Sequence, residues 1–586
     1  MKKFLTAISI LIIIYQSGFS QILTPDRRIN WKPGITEEFP EEREEFDVMD
    51  YGAIGDGQTD DTPAFINAIK AIPGSGAILF IPAGEYLIKK TLTIDKGVLI
   101  KGEGFERSRL FFDLGQQNKD CIQFVKFDRG NWTPVTAGYF KDSTKMVVEN
   151  AACFREGDFV EIQQENDAVR MYTSPLWNAS WAENAVGQII RIEAIAGDTL
   201  ILERPLFMNY RADLKPVARK LGMIMCPGVE DLYIERRDAG DGHTIQFRYV
   251  AFGRIRRIES NYTYRTHVYL SEAYACEIRQ NYLHHSHDYG GGGHGYGVDL
   301  VRHCTDNLII DNVFQHLRHS MMVHVGSSGN VYAYNFSTER EPQRLCDISL
   351  HGHFANFNLF ESNVIEEIDI ADYWGPMGPG NTFLRNRITQ EGIDVNDQSH
   401  AQNLIGNVLV KAAISVKAGV QNTLKHGNVV RGKVQWDSNI EERAIPISYF
   451  LQEKPDFLTG YCWPFIGPDL DDEYKIPAQI RFERGNPVTG VNNQSVEKPT
   501  DFRLSAYPNP FNPVTNIAFE LSSPAPVRIE IFTVLGQHVG TLADQRMEAG
   551  KHLFRFQPGE ALSSGIYIVQ FNISGRRHHL KITFLK

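Results

Sequence analysis

Asn261-Tyr-Thr, Asn281-Tyr-Leu, Asn312-Val-Phe, Asn335-Phe-Ser, Asn363-Val-Ile, Asn386-Arg-Ile, Asn407-Val-Leu and Asn428-Val-Val are eight copies of one short pattern. The steps between them are 20, 31, 23, 28, 23, 21 and 21 residues. Repeats of this length mark a stacked solenoid. Each unit carries short β-type apolar runs and no amphipathic stretch of helical length, which points to a parallel β-helix. An Asn in one turn of every coil has a use. Its amide can donate to the Asn on one side and accept from the Asn on the other, and Asn tolerates a left-handed turn. At ~4.8 Å per rung, seven steps make a rod roughly 34 Å long.

Working outward, 586 residues exceed one ordinary domain, and a solenoid grows by adding coils. An apolar content of 42% suffices for a continuous stacked interior. The net charge of −11 argues against a general nucleic-acid binder. Seven cysteines lie far apart with no CxxC, which argues against a zinc site or a disulfide scaffold. Buried thiols stacked in the coils are expected, with a Cys276–Cys304 bridge as the weaker alternative.

The N-terminus reads as a signal peptide over 1–20: Met1-Lys2-Lys3, an apolar core from Phe4 to Tyr15, and cleavage before Gln21. No later stretch has the length and apolarity of a transmembrane helix, so the mature chain is expected to be secreted or held at the cell surface.

Residues 31–112 read as a cap and the first coils. Thr62 is an N-cap, Pro63 opens a short helix, and Phe65, Ile66, Ile69 and Ile72 give it one apolar face. Strands follow over 78–81, 86–88 and 98–100. Such a helix can cover the open end of a β-helix. The run Asp50-Tyr-Gly-Ala-Ile-Gly-Asp-Gly-Gln-Thr-Asp-Asp-Thr62 and Phe80-Ile-Pro-Ala-Gly-Glu-Tyr86 resemble the pectate-lyase-like superfamily with its rhamnogalacturonase- and epimerase-type members. The resemblance implies a right-handed parallel β-helix and a carbohydrate-related role. It supplies no catalytic residues, because that superfamily holds lyases, hydrolases, epimerases and non-catalytic surface proteins. Asp56, Asp60 and Asp61 can be read as a calcium loop, against the plainer reading of a turn and helix cap.

Residues 130–215 lack the Asn pattern and read as short alternating strands joined by Gly/Asp turns, a small β-barrel-like insert. Its Trp177, Trp181, Tyr172 and Tyr210 suit either sugar stacking or the insert's own core. The β-helix is expected over 21–483 and a polar linker over 484–501. Residues 502–586 alternate in short strands and read as a β-sandwich. There Tyr507-Pro-Asn-Pro-Phe-Asn-Pro513, Val534-Leu-Gly-Gln537 and Ser564-Gly-Ile-Tyr567 resemble the C-terminal sorting domain of the type IX secretion system. That resemblance implies the type IX machinery as a partner and export to the surface or medium.

Ten of the 18 histidines fall in the 70 residues from His284 to His353. The two longest steps of the repeat also fall here, and longer coils mean extruded loops, where function concentrates. A uronide lyase needs a cation for the substrate carboxylate, a base for the proton beside it and an acid for the leaving oxygen. His285, His287, His319 and His324 are candidate bases, Tyr296 a candidate acid, and Arg302, Arg318 and Arg344 candidate cations. Asp288, His294, Asp299 and Trp374 are candidates for holding a polysaccharide. The competing reading is a stack of imidazoles in hydrogen-bonded turns. A second group, Glu361, Glu366, Glu367, Asp369 and Asp372, suits a glycoside hydrolase or a Ca2+ site, against an exposed acidic strand.

Overall fold

The computed structural model describes residues 22–36, 43–172, 179–341, 346–371, 374–488 and 502–586, the last without 508, 522–523, 535, 549, 560–561 and 574–575. The expected signal peptide and most of the expected linker lie outside the described residues. The chain divides into two compact units, 1–491 and 492–586.

The first unit is a parallel β-solenoid built from three sheets of 12, 13 and 10 strands, here sheets A, B and C. Each coil crosses A, then B, then C, as in Leu308–Ile310, Val313–Gln315 and His319–Val323. Alternate residues point inward and stack on their counterparts one coil away. Tyr332 lies over Phe360 at 4.9 Å and Phe360 over Phe383 at 4.8 Å, both pairs nearly parallel, which is the strand spacing of a sheet.

The Asn ladder holds from Asn281 to Asn428. Each Nδ2 donates to the next Oδ1 at 2.9–3.0 Å, and that Oδ1 also accepts the backbone N–H of the preceding Asn. Two expectations need correction. Asn261 is not a rung: it lies inside the strand Glu259–Thr263, opposite His284, and the ladder position of its coil is Ile258, whose N–H donates to Asn281. Nor does the Asn itself take the left-handed turn. The residue before it does, as at Gln280, Asp311, Tyr334, Ser362 and Arg385. A second ladder, Asn307–Asn330–Asn358–Asn381, runs before sheet A and ends on Gln402.

The helix Thr62–Ala71 buries Phe65, Ala68 and Ile69 against the first coils, as expected of a cap. Asp61, not Thr62, precedes it, and the Thr62 hydroxyl accepts from Lys89 N–H. The carboxylates of Asp56, Asp60 and Asp61 take nearby backbone N–H groups, so this loop is a hydrogen-bonded turn. All seven cysteines are free thiols, so the alternative of a Cys276–Cys304 bridge falls.

The insert is a closed six-stranded barrel spanning Thr133–Ala137 to Val217–Leu221. The outer side of sheet A is apolar, and the segment 440–483 covers it: Ile445, Leu458, Phe465 and Ile476 pack on Ile310, Ala333, Leu384 and Ile405. The second unit is a sandwich of a three-stranded and a four-stranded antiparallel sheet. Its strands include Phe502–Tyr507 and His538–Met547.

Candidate functional site

The parity of sheet C decides which side chains leave the core. In Tyr296–Val301, Val298 and Leu300 point inward, so Asp299 points out, in register with Tyr269 on one side and Met322 on the other. His324 follows the next strand, and its Nε2 stands 3.2 Å from Asp299 Oδ1. Val325, which alternation alone would send to the coil interior, has a left-handed backbone and packs on the barrel core instead.

A connected set of rings builds out from this pair. Tyr296 and His319, partners in register, have ring centroids 5.1 Å apart. His351 lies 6.4 Å from His319 and 5.6 Å from His324. Trp374 lies 6.0 Å from His351 and 6.0 Å from His353. The barrel insert contributes Trp181, which packs edge-on against His353 at 4.5 Å, Trp374 at 5.4 Å and His324 at 6.1 Å. Trp181 is 44% exposed, although three aromatic rings touch it. Buried His303 positions the insert. It joins Glu161 of the barrel at 2.6 Å and the Asn184 carbonyl at 3.0 Å, and Arg219 closes on the same carboxylate. Burial alone would raise the Glu161 carboxyl. His303 and Arg219 outweigh it and hold the group at about 2.

One coil away the flank changes. His243 stacks on Tyr269 at 4.1 Å, and burial, with Arg265 and Arg236, holds its imidazole well below the usual range. That ring is a neutral wall, not a proton carrier.

Most of the other expected residues gather elsewhere, at the corner between sheets B and C. His284 and His285 share a contact between their Nδ1 atoms at 2.8 Å, and His285 lies 5.2 Å from His316. Burial, then His284 and His316, lowers the His285 pKa. His287 Nε2 meets the Arg236 carbonyl at 2.7 Å, and His294 Nδ1 meets Asp288 at 2.9 Å. Burial opposes ionisation of Asp288, but the Gly290 N–H and His294 outweigh it and lower its pKa. Arg318 donates to the carbonyls of Tyr289 and Gly290. Arg302 donates to the Glu183 carbonyl of the insert at 3.3 Å. Arg344 lies outside the described residues.

The acidic group divides. Glu361 is buried on the outer side of sheet A and accepts the Tyr449 N–H at 2.9 Å, with its carboxyl pushed up by burial to about 7. Asp369 points out from sheet C, in register with Asp394 on the next coil. Arg340 ties Glu366 and Glu367 together. Asp372 lies outside the described residues. Among the described residues no three His, Cys, Asp or Glu side chains are placed to hold a metal ion. The donors around His324 are imidazoles and one carboxylate, not the oxygen cage that calcium takes.

Sequence reasoning placed Tyr296, Asp299, His319, His324 and Trp374 on its candidate roster, and these five converge. It left out His351 and His353, although both lay in the dense run of histidines. Trp181 was named as a ring suited to sugar stacking or to the insert's core, but nothing local in the sequence says that the insert folds back onto this coil.

Residues 46–173 match the family model "Rhamnogalacturonase A/epimerase, pectate lyase-like", and residues 505–584 match "Secretion system C-terminal sorting domain". The chain is 43% identical over 61 residues to the non-secreted LysM effector LysM19 of Penicillium expansum, covering 10% of this chain and 5% of that protein. It is 39% identical over 67 residues to the mannuronan C5-epimerase AlgE1 of Azotobacter vinelandii, covering 10% and 5%. The chain therefore spans about a twentieth of these relatives. Among solved structures, the tailspike gp61 of Pseudomonas phage phi297 superposes with a TM-score of 0.48 at 10% identity, covering 92% of this chain and 99% of that one. Among the described residues no helix is long and apolar enough to cross a membrane. Residues 46–173 are therefore similar to the pectate-lyase-like β-helix family, and residues 505–584 to a type IX secretion sorting domain, which supports secretion or the cell surface.

Proposed function

We propose that the chain is a polysaccharide-active enzyme that cleaves uronate-containing polysaccharide by β-elimination on the outer flank of sheet C. One observation carries the reading: the Asp299–His324 pair, 3.2 Å apart, lies beside two tryptophans, Trp181 and Trp374. Aromatic rings hold the apolar faces of sugars, and a carboxylate beside an imidazole stabilises the charge that the ring gains when it takes a proton. His324 takes the proton beside the substrate carboxylate. The electron pair left behind forms a carbon–carbon double bond, and the bond to the glycosidic oxygen breaks. Tyr296 or His319 gives that oxygen a proton. Arg302 or Arg344 neutralises the substrate carboxylate. His285, His287, Asp288, His294 and Arg318 hold the polysaccharide further along, at the corner between sheets B and C.

A second reading has its own support. Asp369 and Asp394 are outward neighbours on adjacent rungs, and the rung spacing of about 5 Å suits the two carboxylates of a retaining glycosidase. Incubation of the mature protein with a panel of uronate polysaccharides separates the readings. Absorbance from an unsaturated product, lost in His324→Ala, supports elimination. New reducing ends without unsaturation, lost in Asp369→Asn, support hydrolysis. Inverted uronate stereochemistry without cleavage means epimerisation, and binding alone means a surface adhesin.

A further inference from the structure

We infer that a second saccharide site, one for an anionic sugar unit, lies where the N-terminal segment, the barrel insert and the segment covering sheet A meet. Residues 22–36 run beside the second Asn ladder. Gly34 N–H donates to the Asp306 carbonyl at 2.7 Å, Trp31 Nε1 to the Phe357 carbonyl at 2.7 Å, and Arg27 Nε to Asn403 Oδ1 at 2.8 Å. Next to this strap is a cavity of about 550 Å³. Ligand pockets run from about 300 to 1,000 Å³, so a short oligosaccharide fits.

The lining has a definite chemistry. Arg28 and Lys32 come from the strap, Lys141 and Asp142 from the barrel, and Tyr449 from the covering segment, with Trp31 buried at the base. Three cations face one carboxylate, in a chain whose net charge is −11. Lys141 already holds the Pro25 carbonyl and Asp142, each at 3.1 Å. Arg28 and Lys32 are left to meet an anion. The Tyr449 ring leans on Trp31 at 5.9 Å, and its buried hydroxyl has no hydrogen-bond partner among the described residues. Burial, opposed by Arg28, pushes that phenol up, so it stays protonated and can only gain by finding an oxygen acceptor. A buried donor without a partner, two available cations and an aromatic wall together fit a sugar that carries a carboxylate or a sulfate.

None of these residues belongs to the flank of sheet C. The site is a grip on an acidic glycan, and it does not depend on which reaction the flank performs. The test is calorimetric titration of the mature protein with trigalacturonate, a chondroitin sulfate disaccharide, cellotriose and sodium sulfate. Binding of one or both anionic sugars is expected to weaken about tenfold or more in the Arg28→Ala/Lys32→Ala double variant. In Tyr449→Phe, which keeps the ring, it should weaken about three- to tenfold. The two anionic probes decide between carboxylate and sulfate. Lys32 is exposed, so Lys32→Ala with Tyr449→Phe carries the test if the double variant does not fold. Wild-type affinity in these variants, equal binding of cellotriose, or displacement by sodium sulfate at the same concentration overturns the proposal. Product formation is followed in parallel. Lost binding with retained turnover is the expected result, and absent turnover in the wild type removes the flank reading while leaving this one standing.

Discussion

Each coil has two places where polar side chains recur, and they obey different rules. At the turn into sheet B the same side chain returns seven times, fully buried, with the same partners at 2.9–3.0 Å. On the flank of sheet C the row changes along the rod: Tyr269, Asp299, Met322, Ser349, Asp369 and Asp394 follow one another outward in register, and only the Asp369–Asp394 step repeats a residue. On the proposed reading a ligand rather than the next coil is the partner there, and repetition would gain nothing. Within this molecule, uniform polar rows hold the coils together, and the row that varies is the one proposed to bind.

The hardest blow to that contrast would come from the flank itself. His324→Ala removes the base while leaving every ladder bond in place. Product formation should fall about 10²- to 10⁴-fold, the usual worth of a positioned base, with the melting temperature nearly unchanged. His287→Ala, at the corner between sheets B and C, should cost at most a few-fold, because its ring is spent on the Arg236 carbonyl. Equal losses in both variants would mean that the corner, not the flank, does the chemistry.

The mirror experiment is on the ladder. Asn335→Ala leaves the Nδ2 and backbone N–H of Asn312 without their acceptor, and both are buried. At about 1–3 kcal/mol for each unsatisfied group, we expect a loss of roughly 2–4 kcal/mol in denaturant unfolding, with turnover of the remaining folded protein intact. Asn261→Ala should cost ~1 kcal/mol or less, since its amide only reaches Tyr233 and Glu235 near the surface. The pair also shows what the sequence makes legible. The repeat was visible because every coil faces the same packing problem. Asn261 was misassigned because its own coil solves that problem with Ile258, three residues earlier. The flank was half legible: alternation along two neighbouring strands sends Asp299 and His324 outward, but the approach of Trp181 depends on how the barrel is tethered by Glu161 and His303, which are 142 residues apart.

That tether has a pH signature, and a second buried glutamate supplies its opposite. Glu161 is held at about 2, below its ordinary value of 4.5. Its ion pairs therefore stabilise fully above pH 4.5, and the stabilisation is lost as pH falls from 4.5 toward 2. Glu361, behind the segment covering sheet A, is raised to about 7. The folded protein holds that proton more tightly than the unfolded chain, so the contribution of Glu361 is present below pH 4.5 and is lost as pH rises through 7. Glu161→Gln should flatten the acid limb of the stability curve, and Glu361→Gln should flatten the limb between pH 4.5 and 7. Unfolding followed by urea across that range reads both slopes. An unchanged acid limb in Glu161→Gln would detach the barrel from the electrostatics of the flank.

The smallest effect is the most discriminating for substrate. Trp181 touches His353, Trp374 and His324 yet keeps 44% of its surface exposed. A ring retained for the barrel's own core would be buried, as Tyr210 is. Trp181→Ala should leave the barrel folded and remove one face of the sugar clamp. Stacking of this kind is worth about 0.5–1.5 kcal/mol beyond the area it buries, so KM should rise about two- to tenfold with kcat little changed, and Trp181→Phe should recover most of the loss. A drop in kcat at constant KM would instead place Trp181 among the groups that hold His324 for proton transfer, and would move the sugar platform to Trp374 alone.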